Sequence, residues 1–337
     1  MTKINKHIEI VRSSIVSLSS MSQVSCDAIY AILAKHYSRV GVTTVNNLTD
    51  LEGVADLNPD LVFLGMDFVP VNQALGSEDP DKIWLADYLD EHDIAYTGSG
   101  QLAHELDYNK PLAKQRALDA GLQTSPFYVI RQNQSQKRHD KSLVFPLFIK
   151  PTNRGGGQGI DSNSVAYNIG DVDLKVKSIA VELQSDSLIE QYLPGREFSV
   201  AILKNEFTSI YSVMPIELIA PADKNGVRIL SAEIKSADTE SFVEITDKKI
   251  KAKISILAMK VFRALGARDY GRIDIRLDKF GIPQFLEANL IPSLISGFGN
   301  FPKACLLNLD MSHENLILNI TSLGLVRSKN QPELIPA

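Results

Sequence analysis

Two short segments near the end of the chain contain the residues whose types and spacing point most clearly to chemistry. Residues 272–277 and 284–289 both alternate polar and apolar side chains, and the turn between them favours a β-hairpin. Because that turn has an even number of residues, Asp274 and Glu287 should share one face. The opposite face should contain Ile273, Ile275, Leu277 and Leu286.

The polar face of this hairpin would bring together an oxygen-rich set of side chains. Asp274, Glu287 and Asn289 offer carboxylate and amide oxygens, the hard ligands that Mg2+ prefers, and Arg272 lies beside them. Ser293 follows in a turn of small residues, where backbone N–H groups can stabilise a developing oxyanion. The alternative is a solvated hairpin face on which Arg272 and Asp274 simply form an ion pair.

A glycine-rich segment directly after an apolar strand is the second chemical signal. Lys150 ends the strand, and Gly155, Gly156 and Gly157 follow. Glycines allow backbone amides to approach phosphate oxygens closely, and a lysine adds a positive charge. The segment differs from the phosphate loop of P-loop enzymes because no lysine follows the glycines. A flexible glycine linker is the alternative.

Residues 188–197 form the third signal, which has the pattern of a strand, a hinge and a second strand. Glu190 and Glu197 could accept hydrogen bonds from an adenine amino group and a ribose. Acidic residues at strand ends are more often solvated, so this segment is informative only together with the other two.

The elements that must position these residues begin with alternating strands and helices in the first third of the chain. Strands are predicted at 8–11, 60–64 and 94–97, and a helix at 25–37. A second helix should begin at Asp79-Pro80, an N-cap followed by proline in the first helical position. Its apolar face would contain Trp84, Leu85, Tyr88 and Leu89. This order predicts a small parallel sheet with helices on its faces.

The rest of the chain divides into two further units and a polar tail. Asn109 should cap a helix that Gly121 ends, and two strands should then flank a polar loop at 132–141. In the third unit residues 247–265 have the clearest helical pattern, and 221–243 is a long polar connection of the kind that forms active-site lids. The predicted units are 1–103, 104–194, 195–326 and a tail at 327–337.

Composition limits the class of protein. Of the 337 residues, 44% are hydrophobic and 22% charged, which is ordinary for a globular protein, and the net charge is −5. Nucleic-acid-binding surfaces usually need a basic excess, so no nucleic-acid partner is expected. No apolar run of about 18 residues occurs, so no membrane span is expected. Cys26 and Cys305 have no metal-ligand spacing and predict no disulfide framework, which favours a cytoplasmic protein.

The three chemical signals occur in the order and spacing of ATP-grasp enzymes, and the sequence resembles the D-alanine–D-alanine ligase family. The similar stretches are 96–100, 107–110, 145–159, 189–203 and 271–292. The resemblance implies an α/β (α+β) architecture, in which an N-terminal parallel α/β domain precedes the ATP-grasp fold. It also implies a homodimer formed through the first domain.

The same resemblance implies which residues bind the nucleotide. Lys110 and Lys150 would hold the α- and β-phosphates of ATP, and Lys235 would reach the γ-phosphate from the lid. The loop that closes over the phosphates would contain Gly155, Gly156 and Gly157. The remaining nucleotide contacts would come from Glu190, Tyr192 and Leu193 for adenine and from Glu197 for ribose.

The reaction is also implied by the resemblance. Asp274, Glu287 and Asn289 would bind two Mg2+ ions, which Mn2+ could replace. A carboxylate would attack ATP to give an acyl phosphate, and an amine would displace phosphate to form a dipeptide or a related amide or ester. Arg272 and backbone groups near Ser293 would stabilise the intermediate.

The expected partners are small carboxylates and amines, with amino acids foremost, and the expected pathway is peptidoglycan synthesis. Two alternatives on the same fold are a catalytically inactive ATP-binding homologue and an ATP-dependent phosphotransferase.

Several positions depart from the family pattern, and they concentrate where the substrates would bind. Residues 19–25 contain no acid where the family has one for the first substrate's ammonium, and Leu64-Gly65-Met66 replaces a His-Gly pair. Serine or tyrosine positions of the family are occupied by Gly156, Gly157, Ser236 and Phe298. An ammonium without a charged partner would bind about a hundredfold more weakly. Either other parts of the fold replace these groups, or the first substrate is not D-alanine.

Overall fold

The computed structural model describes residues 2–132, 142–222, 226–237 and 239–327. The predicted loop at 132–141 and the predicted tail at 327–337 lie almost entirely outside these ranges. Among the helices that the structure describes, none combines the length and apolar character that a bilayer span requires.

The first unit contains the predicted parallel sheet. Its elements are β1 (Ile4–Arg12), α1 (Gln23–His36), β2 (Tyr37–Thr44), α2 (Leu48–Asp56) and β3 (Leu61–Leu64). The strands are parallel in the order β2-β1-β3, which confirms the prediction, although the polar edge strand β2 was not foreseen. Residues 94–97 form no full strand, because only Tyr96 bridges to Val62.

The helix predicted to begin at Asp79 begins instead at Leu85. An antiparallel ribbon of β4 (Phe68–Pro70) and β5 (Lys82–Trp84) precedes α3 (Leu85–Glu91). The Asp79 carboxylate accepts hydrogen bonds from the backbone N–H groups of Asn72 and Asp81. Asp79 therefore stabilises the loop of the ribbon and caps no helix, so that prediction was wrong.

The second unit is a four-stranded antiparallel sheet with the order β6-β9-β7-β8. Its elements are α4 (Gln101–Tyr108), α5 (Lys110–Asp119), β6 (Phe127–Ile130), β7 (Leu147–Pro151), β8 (Val165–Ala166), α6 (Ile169–Leu183) and β9 (Ser187–Gln191). Asn109 caps α5 by accepting a hydrogen bond from the Leu112 N–H, and Gly121 follows the helix with a φ of 70°. Both predictions at this helix are confirmed.

The third unit is an antiparallel sheet with the order β12-β11-β10-β13-β14. Its elements are β10 (Glu197–Lys204), β11 (Tyr211–Ile219), α7 (Ala232–Ala237), β12 (Ser241–Val243), α8 (Lys248–Ala264), β13 (Tyr270–Leu277), β14 (Pro283–Asn289), α9 (Asn300–Leu309) and α10 (His313–Arg327). The predicted long helix is α8, and Asp247 caps it. The predicted lid contains α7 and β12.

The β13-β14 hairpin has the predicted register at its polar end and a bulge beyond it. Asp274 faces Glu287, so the two share a face as predicted, although the connection at 278–282 has five residues and not the even number that was expected. The register then shifts, so Ile275 faces Phe285 and one extra residue, Leu286, lies between the two pairs. Phe285 is fully buried, whereas Leu286 lines a cavity. The prediction that Leu286 belongs to the apolar face was therefore wrong, because the bulge turns it to the other side.

One buried cluster joins the first and third units. Ile8 and Ile10 of β1 pack with Leu203 of β10, Met214 of β11 and Phe301 of α9. Helix α10 contributes to the same cluster, so the end of the described chain returns to the first sheet. This shared core fixes the N-terminal loops against the strands that bear the candidate catalytic residues.

Candidate active site

A cavity of about 540 Å3 lies where the three units meet. Its wall includes residues 16–20 after β1, the glycine-rich loop after β7, the hinge between β9 and β10, and the polar side of the β13-β14 hairpin. Ile229, Leu230 and Glu240 of the lid segment also line it. The three chemical signals of the sequence therefore face one space.

A buried network of lysines and glutamates crosses from the second unit to the third. Glu190 on β9 contacts the Nζ of Lys114 at 2.5 Å and the Nζ of Lys150 at 3.4 Å. Lys150 at the end of β7 also contacts Glu287 on β14, with 3.2 Å between Nζ and Oε2. The Glu190 side chain, assigned to adenine by the resemblance, thus serves as the shared counterion of two lysines in this structure.

Lys114 belongs to this network although its role was not predicted. It is fully buried on α5, and its Nζ donates to the hydroxyls of Thr124 and Ser125 and to the carbonyl oxygen of Phe285. Burial lowers the pKa of Lys114 to about 8, although the Glu190 carboxylate opposes that decrease. Lys114 therefore connects α5 to β14.

The charges of Lys150 and Glu190 stabilise each other. Burial opposes the charge of Lys150, but Glu190 and Glu287 outweigh burial and hold its pKa above the usual value. Burial likewise opposes the charge of Glu190, but Lys114 and Lys150 hold its pKa below the usual value. Lys150 is therefore a cation at neutral pH on the cavity wall, as phosphate binding requires.

Lys110 and the glycine-rich loop lie side by side. Lys110 opens α5, and its Nζ donates to the carbonyl oxygen of Arg154 at 2.5 Å. Gly155 and Gly156 line the cavity, and a Cβ at either position would meet no atom within 4 Å. Gly157 is buried and does not line the cavity. Gly156 has a φ of 63°, a conformation that favours glycine.

The hinge residues Tyr192, Leu193 and Glu197 line the cavity next to an arginine that was not predicted. Arg276 on β13 contacts Glu197, with 3.0 Å between Nη1 and Oε2. It also donates to the carbonyl oxygen of Gly195 at 3.1 Å and to the hydroxyl of Tyr192 at 3.3 Å. Arg276 therefore fixes the hinge to the third sheet.

The predicted metal ligands meet on the hairpin. Asp274 faces Glu287 and Arg272 faces Asn289 across the two strands. Arg272 donates its Nε and Nη2 to the two oxygens of Asp274, each at 3.0 Å, and Ser199 donates its hydroxyl at 2.8 Å. Two carboxylates and one amide form a donor set of oxygen atoms only, which fits Mg2+.

Arg272 remains charged although it is mostly buried. Burial opposes its charge, but the Asp274 carboxylate outweighs burial and holds the pKa of Arg272 above the usual value. Its Nη1 makes no hydrogen bond to another described residue. That group can therefore bind an anion in the cavity. Ser293 lines the same wall beyond β14.

A second set of titratable side chains, the Asp67–His104–Asp107 cluster, lies at this cavity and was not predicted. One ligand atom of each residue lies within 4.8 Å of the other two. His104 Nδ1 lies 2.7 Å from Asp67 Oδ1, and His104 Nε2 lies 3.0 Å from the carbonyl oxygen of Ser99. Asp107 accepts a hydrogen bond from the Leu290 N–H at 2.9 Å.

The pKa values of Asp107 and His104 in this cluster are both raised. Burial and the Asp67 carboxylate raise the pKa of Asp107 to about 6. Burial opposes the charge of His104, but Asp67 outweighs burial and raises the pKa of that imidazole. Both shifts indicate excess negative charge in a partly desolvated space.

Lys235 lies in α7, within the predicted lid. Its side chain and that of Ser236 are outside what the structure describes, as are residues 223–225 and 238. The role of Lys235 at the γ-phosphate therefore stays a prediction.

Proteins of similar sequence show which family this chain belongs to. Residues 117–322 match the family model described as D-ala D-ala ligase C-terminus, which is more than half of the chain. A D-alanine–D-alanine ligase of Bordetella petrii is 32% identical over 232 residues, 68% of each protein. The chain belongs to the D-alanine–D-alanine ligase family. An uncharacterised protein of Sinorhizobium fredii is 30% identical over 205 residues, which are 60% of this chain but only 58% of that relative.

Solved structures confirm the fold expected for the D-alanine–D-alanine ligase family. The crystal structure of such a ligase from Bacillus anthracis, complexed with ATP, matches with a TM-score of 0.72 and 19% identity. The match covers 96% of this chain and 99% of that one. The α/β architecture with an N-terminal parallel sheet before the ATP-grasp fold is therefore confirmed.

Positions that depart from the D-alanine–D-alanine ligase pattern line the cavity as well. The departures on the wall are Ser19, Ser20, Gly156 and Phe298. Lys114 had a detectable signal, since it lies four residues after Lys110 on the same face of α5. The Asp67–His104–Asp107 cluster has no such signal in the sequence, because its residues come from two separate segments.

Proposed function

We propose that this protein is an ATP- and Mg2+-dependent carboxylate–amine ligase that acts through an acyl phosphate. The single observation that supports this most strongly is the convergence of Lys110, Lys150, the glycine-rich loop and the oxygen-only set of the hairpin on one cavity. A binding module for ATP would need the cations and the glycines but not a carboxylate pair beside a buried arginine.

The nucleotide would lie between the second and third units. Lys110 and Lys150 would bind phosphate oxygens, and the wide space around Gly155 and Gly156 would admit them close to the backbone. Tyr192 and Leu193 would contact the adenine, and Glu197 the ribose. Because Lys114 and Lys150 already contact Glu190, we propose that adenine recognition depends on the backbone of the hinge more than on that carboxylate.

Asp274, Glu287 and Asn289 would hold magnesium, and the ion would neutralise the charge that develops on the transferring phosphoryl group. Arg272 orients Asp274 through two hydrogen bonds. Its remaining N–H donors would bind the substrate carboxylate and then the tetrahedral oxyanion, together with backbone N–H groups near Ser293. Lys235 would approach the γ-phosphate from the lid.

The order of bond changes follows from the chemistry of the two substrates. A carboxylate oxygen would attack the γ-phosphorus of ATP, which releases ADP and leaves an acyl phosphate. The neutral amine of the second substrate would then attack the acyl carbon, and phosphate would leave with one oxygen of the original carboxylate. The lid would exclude water, which otherwise hydrolyses the acyl phosphate.

The substrates that we propose are small amino acids, and the product is a dipeptide or a related amide or ester of the kind used in peptidoglycan. The named ligases among the relatives support D-alanine as the first compound to test. The altered wall at Ser19, Ser20 and Phe298 supports testing hydroxy acids and larger amino acids with it. We further propose that the protein is cytoplasmic and acts as a homodimer, as its family resemblance implies.

The test is ATP-dependent phosphate release with Mg2+ across D- and L-amino acids and hydroxy acids, with mass detection of condensed products. The proposal predicts phosphate release that depends on an added carboxylate and a product that has lost one water relative to the substrates. Tight ATP binding without turnover on any pair would contradict it. Transfer of the phosphoryl group to a stable acceptor without a condensed product would contradict it as well.

A further inference from the structure

Among the described residues, seven acidic side chains line the cavity, and four of them contact a lysine or an arginine. Glu190 and Glu287 contact Lys150, Asp274 contacts Arg272, and Glu197 contacts Arg276. Asp67, Asp107 and Glu240 contact no described lysine or arginine, and the one basic neighbour of Asp67 is His104. Glu240 lies on the lid segment, away from the other two, whereas Asp67 and Asp107 lie close together on the cavity wall.

Two separate segments of the chain position the cluster. Asp67 lies in the short connection between β3 and β4, and His104 and Asp107 are three residues apart, on one face of α4. His104 is 1% exposed and has a polar atom at each ring nitrogen, the Asp67 carboxylate and the Ser99 carbonyl oxygen. The Nδ1 of His104 and the Oδ1 of Asp67 are buried, and although they lie 2.7 Å apart, neither makes a hydrogen bond to a described group. Even a charged imidazole would balance only one of the two carboxylates, so one negative charge of the cluster has no partner within it.

Each aspartate has an oxygen that makes no hydrogen bond to a described protein group. Asp67 Oδ1 lies 2.7 Å from His104 Nδ1 without a hydrogen bond, and Asp107 Oδ2 accepts one from the Leu290 N–H. The other oxygen of each carboxylate has no hydrogen bond to a described residue. A ligand in this cavity that has N–H donors and a positive charge would satisfy both oxygens.

One backbone hydrogen bond links the cluster to the strand that bears the proposed metal ligands. Leu290, whose N–H binds Asp107, directly follows Asn289, the last of the proposed metal ligands. Asp107 is also near enough to Arg272 to contribute to the raised pKa of that guanidinium. An α-amino acid has its ammonium and its carboxylate on one carbon atom. A group that binds the ammonium must therefore line the same cavity as the groups that bind the carboxylate, and Asp107 and Arg272 both line this one.

A divalent metal ion is a poorer occupant of the same place. Metal coordination needs an unprotonated imidazole nitrogen directed at the ion. Here the Nε2 of His104 faces a carbonyl oxygen, and its Nδ1 is 2.7 Å from Asp67 Oδ1. Nε2 therefore carries a hydrogen, and His104 does not line the cavity, so an ion in the cavity would have only the two aspartates of this cluster as ligands.

We infer that the Asp67–His104–Asp107 cluster binds the ammonium group of the carboxylate substrate and makes the enzyme selective for an α-amino acid over the corresponding hydroxy acid. Asp67 and Asp107 accept hydrogen bonds from the ammonium, and His104 positions Asp67. The inference rests on the proposed ligase function, since it specifies the first substrate of that reaction. It also explains how a wall at residues 16–20 without any acid can belong to a site for an amino acid.

The test isolates the first half-reaction by trapping the acyl phosphate with hydroxylamine and measuring the acyl hydroxamate. The substrates are alanine and lactate, each as both enantiomers, since they differ only in the ammonium or hydroxyl group. The variants are Asp67→Asn and Asp107→Asn, and Asp60→Asn is the matched control outside the cavity. ATP affinity and the melting temperature are measured for each variant.

The inference predicts that wild-type protein prefers one enantiomer of alanine over the matching lactate by about 10- to 100-fold in kcat/KM. Each Asn variant should lose about that factor with alanine and less than about threefold with lactate, while its affinity for ATP stays unchanged. Asp107→Glu should keep the preference for alanine, and Asp60→Asn should behave as wild type. If an Asn variant does not fold, equal use of alanine and lactate by the wild type would still overturn the inference.

Failure of the inference differs from failure of the proposed function. If hydroxamate forms and the Asn variants keep the wild-type preference, the ligase function stands and the ammonium site is wrong. If no hydroxamate forms with any acid, the ligase function is wrong, and calorimetric titration of alanine into wild type and Asp107→Asn decides the site on its own. Equal binding of alanine by both proteins would overturn the ammonium site. Tight Zn2+ binding that requires both aspartates, with no change in the preference for alanine over lactate in the Asn variants, would overturn it as well.

Discussion

Replacing Glu190 by glutamine tests whether this side chain is the counterion of the buried lysines. Glu190 is the described carboxylate in contact with Lys114, while Lys150 also contacts Glu287. Removal of one partner from a buried ion pair costs about 3–5 kcal/mol, because the other charge stays buried. Glutamine keeps the volume and one acceptor, and Lys150 keeps Glu287. We therefore expect Glu190→Gln to lower the free energy of unfolding by about 3 kcal/mol, near the lower end of that range.

The double variant separates this effect from general disruption. Lys114→Met in the Glu190→Gln background removes the unpaired charge, so we expect a coupling energy of at least about 2 kcal/mol. Urea unfolding at pH 7, followed by far-ultraviolet circular dichroism, measures all four proteins. A loss below about 1 kcal/mol in Glu190→Gln, or strictly additive single changes, would refute the counterion role. Weak ATP binding by a double variant of restored stability would show that Glu190 contacts adenine directly.

Three further results are expected. Asp274→Asn should reduce ATP-dependent phosphate release by at least about 100-fold while the melting temperature changes little. Chelation of Mg2+ by EDTA should abolish phosphate release in the wild-type protein. Activity that survives both treatments would exclude a metal site formed by the oxygen-only set. Arg276→Met should raise the KM for ATP about tenfold and change kcat less, because the guanidinium fixes Glu197 and Tyr192 in the hinge. An unchanged KM for ATP in a phosphate-release assay would contradict this role of Arg276. The pKa of Lys114 is about 8 in the folded protein, against an ordinary value of 10.5. Between these pH values the unfolded chain binds more protons than the folded chain. The contribution of Lys114 to the free energy of unfolding should therefore rise with pH from about 8 to 10. Urea titrations at several pH values should show this rise in wild type and its loss in Lys114→Met, and the same slope in both proteins would assign it to other groups.

The hairpin and its polar face could be predicted because the pattern that encodes them is local. Alternation places Asp274 and Glu287 on one face, but the connection at 278–282 has five residues, so the bulge and not an even turn brings these two residues opposite each other. The bulge could not be located from the sequence, because the adjacent apolar pair Phe285-Leu286 interrupts the alternation without showing which residue is extra. The same limit applies to Asp79, since an acidic residue before proline has the same sequence pattern whether it caps a helix or holds a loop.

The groups that sequence reasoning missed are joined by contacts between distant parts of the chain. Lys114 meets the carbonyl oxygen of Phe285 across 171 residues, and Asp107 meets the Leu290 N–H across 183. Neither the lysine on α5 nor the aspartates at 67 and 107 have a local pattern that marks them as buried. Asp67 of the first unit and Asp107 on α4 reach one cavity wall only where these parts of the chain pack together.

The most direct test of the central claim follows oxygen atoms from the carboxylate substrate into phosphate. The protein is incubated with ATP, Mg2+, the amine and a carboxylate substrate labelled with 18O at both carboxyl oxygens, and the released phosphate is analysed by mass spectrometry. Attack of the carboxylate on the γ-phosphorus predicts one 18O atom in each phosphate released with product. Phosphate without label would mean that water attacks ATP and that no acyl phosphate forms.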